Sequence, residues 1–330
     1  MIAMTEINTL PLVRAVYEEA VRAGAHVQVQ FLSSYLQHSL MRYGSVEQVS
    51  WVPEIEASGM DWADVYIGLR GAHNPFEFAD ISPTVLAAHR RAVGKVSTAR
   101  WQKTRWCLVP VPSEALAQQA ETDLDTLLDL FFSAVVCDWQ AQAKRWNEIA
   151  NMLNSGEQVH LRGPGTDLHF TTSGRKWLVG DGRLNMPDGE IYTAPVDDSV
   201  DGYIYFELPG VVDGRLVHDI RLSWNSGTLV DASASSNEQL LHEMLRTDAG
   251  ASMVGEFAVG TNYGIDRFCK DILLDEKMGG TMHIALGRAY PLCGGTNESA
   301  IHWDIVKDTR RDSKLYLDGR IIFENGAFLV

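Results

Sequence analysis

The chain has 330 residues, a formal net charge of −15, and a composition that is 45% hydrophobic and 22% charged, which suits a soluble globular protein large enough for two domains. A pI near 5.0 argues against nucleic acid as a partner, because phosphate binding needs clustered Lys and Arg; a cationic or zwitterionic small substrate stays open. No apolar run is long enough to span a bilayer, the N-terminus lacks the pattern of a signal peptide, and four scattered cysteines without a CxxC (Cys107, Cys137, Cys269, Cys293) read as reduced thiols of a cytoplasmic protein.

The first part reads as α/β. Residues 11–23 carry a helical pattern, with Gly24 placed just past its end. HVQVQF follows as a short strand, and residues 63–71 (ADVYIGLRG) as another. SPTVLAAHRRAVGK is expected to be a helix with Ser82 as cap and Pro83 at its first position. Residues 105–112 form a third strand candidate, and SEALAQQA a helix capped by Ser113. Alternating strands and helices predict a parallel, Rossmann-like sheet. No GxGxxG is present, so a nucleotide cofactor is not indicated. One long helix is expected over residues 122–153.

The pattern changes near residues 154–157. From there QVHLRG, DLHFTTSG, IYFELPG, RLVHDIRLSW, KLYLDG and RIIFENG alternate with turn residues, which predicts an antiparallel β-rich domain. A helix over 236–246, capped by Ser236, is the exception. The expected division is an α/β domain over residues 1–154 and a β-rich, metal-binding catalytic domain over 155–330.

Ligand chemistry concentrates in that second domain. Residues 275–304 hold Glu276, His283, Tyr290, His302 and Asp304, interleaved with glycines. In the His302-Trp-Asp304 triplet, positions i and i+2 of a strand face one side, so both side chains can reach one ion. NMPDGEIYTAP adds Glu190 and GEFAVGTN adds Glu256. Three glutamates, one aspartate and two histidines exceed the needs of one tetrahedral ion and suit a two-metal site that activates a water. Tyr290 is placed to donate a hydrogen bond to the resulting oxyanion. The other eight histidines read as structural or surface residues, and Cys293 as a packed thiol. HExxH, GxSxG and Walker patterns are absent.

Taken together, TDLHFTTSGRKWLVGDGRLNMPDGEIYTAP, GASMVGEFAVGTN, LLDEKMGGTMHIALGRAY and GGTNESAIHWDIVKD resemble the thermophilic metallo-aminopeptidases of peptidase family M29. The resemblance runs from about residue 11 to the C-terminus and is densest over 166–308. It implies an exopeptidase acting on short peptides through two divalent ions (zinc, cobalt or manganese). It also implies a homodimer whose active sites face an enclosed cavity. By motif, Glu190, Glu256, His283, His302 and Asp304 correspond to family ligands, Glu276 to an acidic position near the metals, and Tyr290 to the catalytic tyrosine. Within that scheme Glu256 is assigned as the carboxylate bridging the two ions, and Glu190 as a ligand that also takes the proton from water. Family members begin with a helix and a strand ahead of PLVRAVYEEAVRAGA, so the first strand of the α/β domain is expected to be missing or replaced. Two histidines and a carboxylate also describe a non-haem Fe(II) ring-cleaving dioxygenase of the dihydroxypyridine type. That reading needs histidine where this chain has Glu256.

Overall fold

The computed structural model describes residues 1–212 and 214–329. The chain divides into two compact units, Met1–Leu128 with Gly182–Met186, and Asp129–Asp181 with Pro187–Val330. The division therefore lies near 128, ahead of the expected residue 155, and the helix Trp139–Leu153 belongs to the second unit.

The first unit is built on a parallel four-stranded sheet in the order Val29–Leu32, Ile2–Thr5, Val65–Arg70, Arg105–Pro110. Ile2–Thr5 is an inner strand paired on both sides, so the expected loss of the first strand is corrected: MIAMT supplies it. Ile2, Ala3 and Met4 are buried there. The first helix, Leu10–Arg22, starts on a proline and ends ahead of Gly24, whose φ of +84° is the left-handed conformation that suits glycine. Ser113 caps Glu114–Gln119 by accepting from the Leu116 amide at 3.2 Å. Gly182–Met186 joins this unit because Leu108 and residues 184–186 exchange backbone hydrogen bonds at 2.9 Å.

The expected long helix is two, Leu124–Val135, which contains the division, and Trp139–Leu153 in the second unit. Asp138 stops the continuation, its carboxylate accepting from the amides of Gln140 and Ala141 as an N-cap does. The second helix buries Trp146, Ile149, Ala150 and Leu153, one stripe at helical spacing. The helix expected at 236–246 spans Glu238–Leu245 with Asn237 at its cap position; Ser236 instead accepts from the His218 amide. Two large antiparallel sheets and the two-stranded pair Gly210–Val212 with Arg215–Val217 supply the second unit's strands. One has eight strands, from Thr228–Ser233 at one edge to Ala327–Phe328 at the other. The other has five, in the order His302–Asp308, Thr281–Gly287, Val254–Gly260, Glu190–Thr193, Leu178–Gly180.

The five-stranded sheet positions the site. Alternation along its strands turns Ile191, Phe257, Val259, Met282, Ile284, Leu286, Trp303 and Ile305 into the main hydrophobic core. There Phe257 meets Phe170 at 4.9 Å and Trp177 at 6.1 Å between ring centroids. Each such fully buried apolar side chain contributes about 1.5–3 kcal/mol, and that anchors the register. Once the register is set, Glu190, Glu256, His283, His302 and Asp304 must share the opposite face.

Candidate metal centre

Across the sheet, each of the five strand-borne donors has a glycine or an alanine opposite it on at least one neighbouring strand; His283 also has Val306 opposite it on the other. Glu190 pairs with Gly260, Glu256 with Ala285, His283 with Ala258, His302 with Gly287, and Asp304 with Ala285. These partners carry no side chain beyond Cβ, so the donors can lean toward one another. The space between them stays free for an ion.

The distances follow from that arrangement. His283 Nε2 lies 3.4 Å from Glu190 Oε2, 3.8 Å from Glu256 Oε1 and 3.9 Å from Asp304 Oδ1. His302 Nε2 lies 3.2 Å from Glu256 Oε2 and 3.5 Å from Asp304 Oδ1. Two overlapping donor groups result, Glu256–His283–Asp304 and Glu190–Glu276–His283, each with its atoms within 4.8 Å of one another. Glu276 reaches the second group from the C-terminal end of the short helix Ile272–Asp275.

The site is desolvated: Glu256 is 3% exposed and His283 1%. Glu190 Oε2, Asp304 Oδ1 and both ring nitrogens of His283 are buried without a hydrogen bond. A buried polar atom left unpaired costs about 1–3 kcal/mol. Several such atoms, all carboxylate oxygens or imidazole nitrogens converging on one space, fit a divalent metal cation.

Charges within the cluster hold one another. Burial pushes the Glu190 carboxyl up to about 7, against the pull of Lys277 and His283. Burial also works to raise Asp304, yet the charge of the neighbouring His302 brings it down to about 2. Glu256 is lowered in the same way, with burial overcome by His283 and His302. Tyr290 caps the 3-10 turn Pro291–Cys293, its ring 4.9 Å from that of His302 and 5.9 Å from that of Tyr192. Burial, then the Glu256 and Asp304 charges, raise its hydroxyl pKa, so it stays a hydrogen-bond donor. Cys293 packs with Ala194 and Ala289 and, like the other three cysteines, is in no disulfide.

Sequence reasoning missed Lys277. It is 0% exposed, its Nζ sits 3.2 Å from Glu190 Oε1, and it touches Glu276 Oε1. The only signal was a lysine directly after Asp275 and Glu276, at the head of an apolar, glycine-rich stretch. His160 and His169 also differ from expectation. Their rings stack at 3.7 Å and both reach Asp167 Oδ1 at 2.9 Å, a carboxylate partner not assigned to them from the sequence. Arg162 stands beside the same carboxylate at 3.5 Å and already supplies a cation there.

The chain belongs to the thermophilic metalloprotease (M29) family, whose model matches residues 1–328, and it is accordingly a hydrolase. It is 27% identical to aminopeptidase T of Thermus thermophilus, over 97% of this chain and 90% of that protein. It is 24% identical to aminopeptidase 2 of Geobacillus stearothermophilus, over 91% and 84% respectively. Wild-type AmpT from Thermus thermophilus superposes with a TM-score of 0.89 at 25% identity, covering all of this chain and 94% of that one. None of these relatives is named a dioxygenase, and the ring-cleaving alternative finds no support. Among the described residues no helix is long and apolar enough to cross a membrane.

Proposed function

We propose that this protein is a metal-dependent aminopeptidase that hydrolyses the N-terminal peptide bond of short peptides, with catalysis seated in the second compact unit. The observation that carries the reading is the donor face of the five-stranded sheet. Glu190, Glu256, His283, His302 and Asp304 converge there, and the unpaired buried atoms of Glu190, His283 and Asp304 call for a cation. The relatives' names, aminopeptidase T and aminopeptidase 2, point to the exopeptidase reaction.

Glu256, His283, His302 and Asp304 would hold the ion, which belongs to the zinc, cobalt or manganese type. A bound divalent ion supplies Lewis acidity and a water acidic enough to react at neutral pH. The chain's own residues do the rest. Glu190 Oε2 has no hydrogen-bond partner and its carboxyl titrates near neutrality in the ion-free protein, so it is the acceptor for the attacking water's proton. The Tyr290 hydroxyl donates to the scissile carbonyl oxygen as charge develops on it. Burial of the donors excludes bulk water and strengthens each of these interactions. A second ion, as the family resemblance implies, would take Glu190 and Glu276, the carboxylates that Lys277 already touches. We further place the protein in the cytoplasm as a homodimer. The first placement rests on its reduced cysteines and the second on the family resemblance; light scattering of the purified protein tests the dimer.

Incubation with aminoacyl p-nitroanilides and di- to tetrapeptides, with mass spectrometry of the products, tests the activity. The expected result is one free amino acid and a peptide shortened by one residue. This release should be lost on chelation and restored by adding metal. A fully metal-loaded protein that releases nothing from any of these substrates defeats the reading.

A further inference from the structure

Lys277 occupies a position where a lysine is expensive. It is fully buried, and a buried ammonium persists only where anions or hydrogen-bond acceptors surround it. Glu190 Oε1 and Glu276 Oε1 are the ion-pair partners on its Nζ. Both carboxylates belong to the donor group Glu190–Glu276–His283. The other group, Glu256–His283–Asp304 with His302 beside it, differs: the carboxylates there pair with the two imidazoles alone. The imidazoles of one half become donors on losing a proton, whereas the other half holds an ammonium, which has no lone pair to offer.

The backbone keeps the lysine there. The Lys277 amide donates to Leu274 O at 3.1 Å and its carbonyl accepts from the Asn262 amide at 3.0 Å. On the adjoining strand, a Cβ at Gly260 would lie 2.2 Å from Met278 O and 3.0 Å from the Lys277 carbonyl carbon. This close approach, open only to glycine, pins the segment against the sheet that carries the ligands. A lysine so fixed is part of the site's construction. An ammonium and a divalent ion sharing the same two carboxylates would repel at short range in a desolvated space, where such repulsion is steep.

We propose that the Lys277 ammonium takes the place of one of the two divalent ions, so that the chain binds a single catalytic ion on Glu256, His283, His302 and Asp304. Glu276 then serves to hold Lys277 and is not a metal ligand, and Glu256 serves one ion in place of bridging two. Lys277 is a positioning residue: by holding Glu190 Oε1 it leaves Oε2 directed at the reacting centre. This inference rests on the metallo-aminopeptidase reading.

The test is metal stoichiometry. Chelated protein is reloaded with excess Zn²⁺, freed of unbound metal, and assayed by elemental analysis, for wild type and for Lys277→Ala. The expected content is one ion per chain for wild type and two for Lys277→Ala, where Glu190 and Glu276 become available. Two ions in wild type overturn the inference and leave the metallopeptidase reading standing. No tightly bound ion overturns both. A variant that stays at one ion overturns it as well. Should Lys277→Ala not fold, Co²⁺-loaded wild type decides by electron paramagnetic resonance. An isolated high-spin signal is expected, and a spin-coupled pair refutes the substitution.

Discussion

Nδ1 of His302 donates a hydrogen bond to the backbone carbonyl of Arg288 at 2.7 Å. A carbonyl can only accept, so the proton sits on Nδ1 and the lone pair of the neutral ring sits on Nε2, the atom that faces Glu256 and Asp304. The same carbonyl is approached from the other side by Gly255, where an added Cβ would lie 2.6 Å from Arg288 O and 2.3 Å from Gly287 O. Gly255 is also the extra residue of a β-bulge between Val254 and Glu256. The bulge lets Val254 turn into the core while Glu256 stays on the donor face.

Gly255→Ala should therefore act on the metal through two residues it does not replace. Its Cβ displaces the Arg288 carbonyl that orients His302, and it strains the bulge that aims Glu256. Loss of such outer support weakens metal binding about 10–100-fold. Titration against a competing chelator reads this directly. Unchanged affinity in a folded variant removes the carbonyl from the design of the site.

Tyr290→Phe separates binding from chemistry. The hydroxyl is a donor that burial keeps protonated, and a neutral phenol is a weak metal ligand beside carboxylates and imidazoles. Metal content and KM should hold, and kcat should fall about 10²–10³-fold, as for loss of one oxyanion donor. A variant with unaltered kcat excludes Tyr290 from the reaction.

How much of this was legible in the sequence depends on the kind of signal. His302 and Asp304 could be placed on one face because period-two alternation is local, and the motifs around Glu190, Glu256 and His283 led to the same face. The four-residue strand Ile2–Thr5 was missed because its identity comes from pairing with Val29–Leu32 and Val65–Arg70, which no short window contains. The break at Asp138 was missed because an aspartate inside an apolar periodic segment reads as a solvated position, when here it caps. Lys277 was illegible for a deeper reason. Lysine is the residue least expected inside, and only the folded positions of Glu190 and Glu276 make its burial tolerable.

Ala285→Val tests the idea that small cross-strand partners make room for the ion. Ala285 stands opposite both Glu256 and Asp304 and is fully buried. Two extra methyl groups should cost about 1–3 kcal/mol by overpacking, and they push into the space between the two carboxylates. The expectation is a folded protein, melting several degrees lower, that no longer retains metal through gel filtration. Full retention of metal refutes the argument from small residues.

The ion-free and ion-bound proteins should respond to pH in opposite directions. Without metal, burial pushes the Glu190 carboxyl from 4.5 up to about 7. His302 is held well above its ordinary 6.5, because Asp304 and Glu256 outweigh the lowering effect of burial. A group whose pKa is raised by folding stabilises the fold fully below its unfolded value, and that contribution is lost as pH rises through the folded value. Asp304 works the other way. Brought down to about 2 from 3.8 by His302 against the effect of burial, it stabilises above its unfolded value, and the effect is lost as pH falls toward about 2. Chelated protein should thus lose thermal stability as pH rises from about 4.5 to beyond about 7, and separately in strong acid. Metal binding requires deprotonated carboxylates and neutral imidazoles, so the loaded protein gains over that same upper window. The difference in Tm between loaded and chelated protein should widen steadily from pH 5 to pH 8, as read by differential scanning fluorimetry. A difference that is flat or narrows over this range takes Glu190 and His302 out of the ion's surroundings.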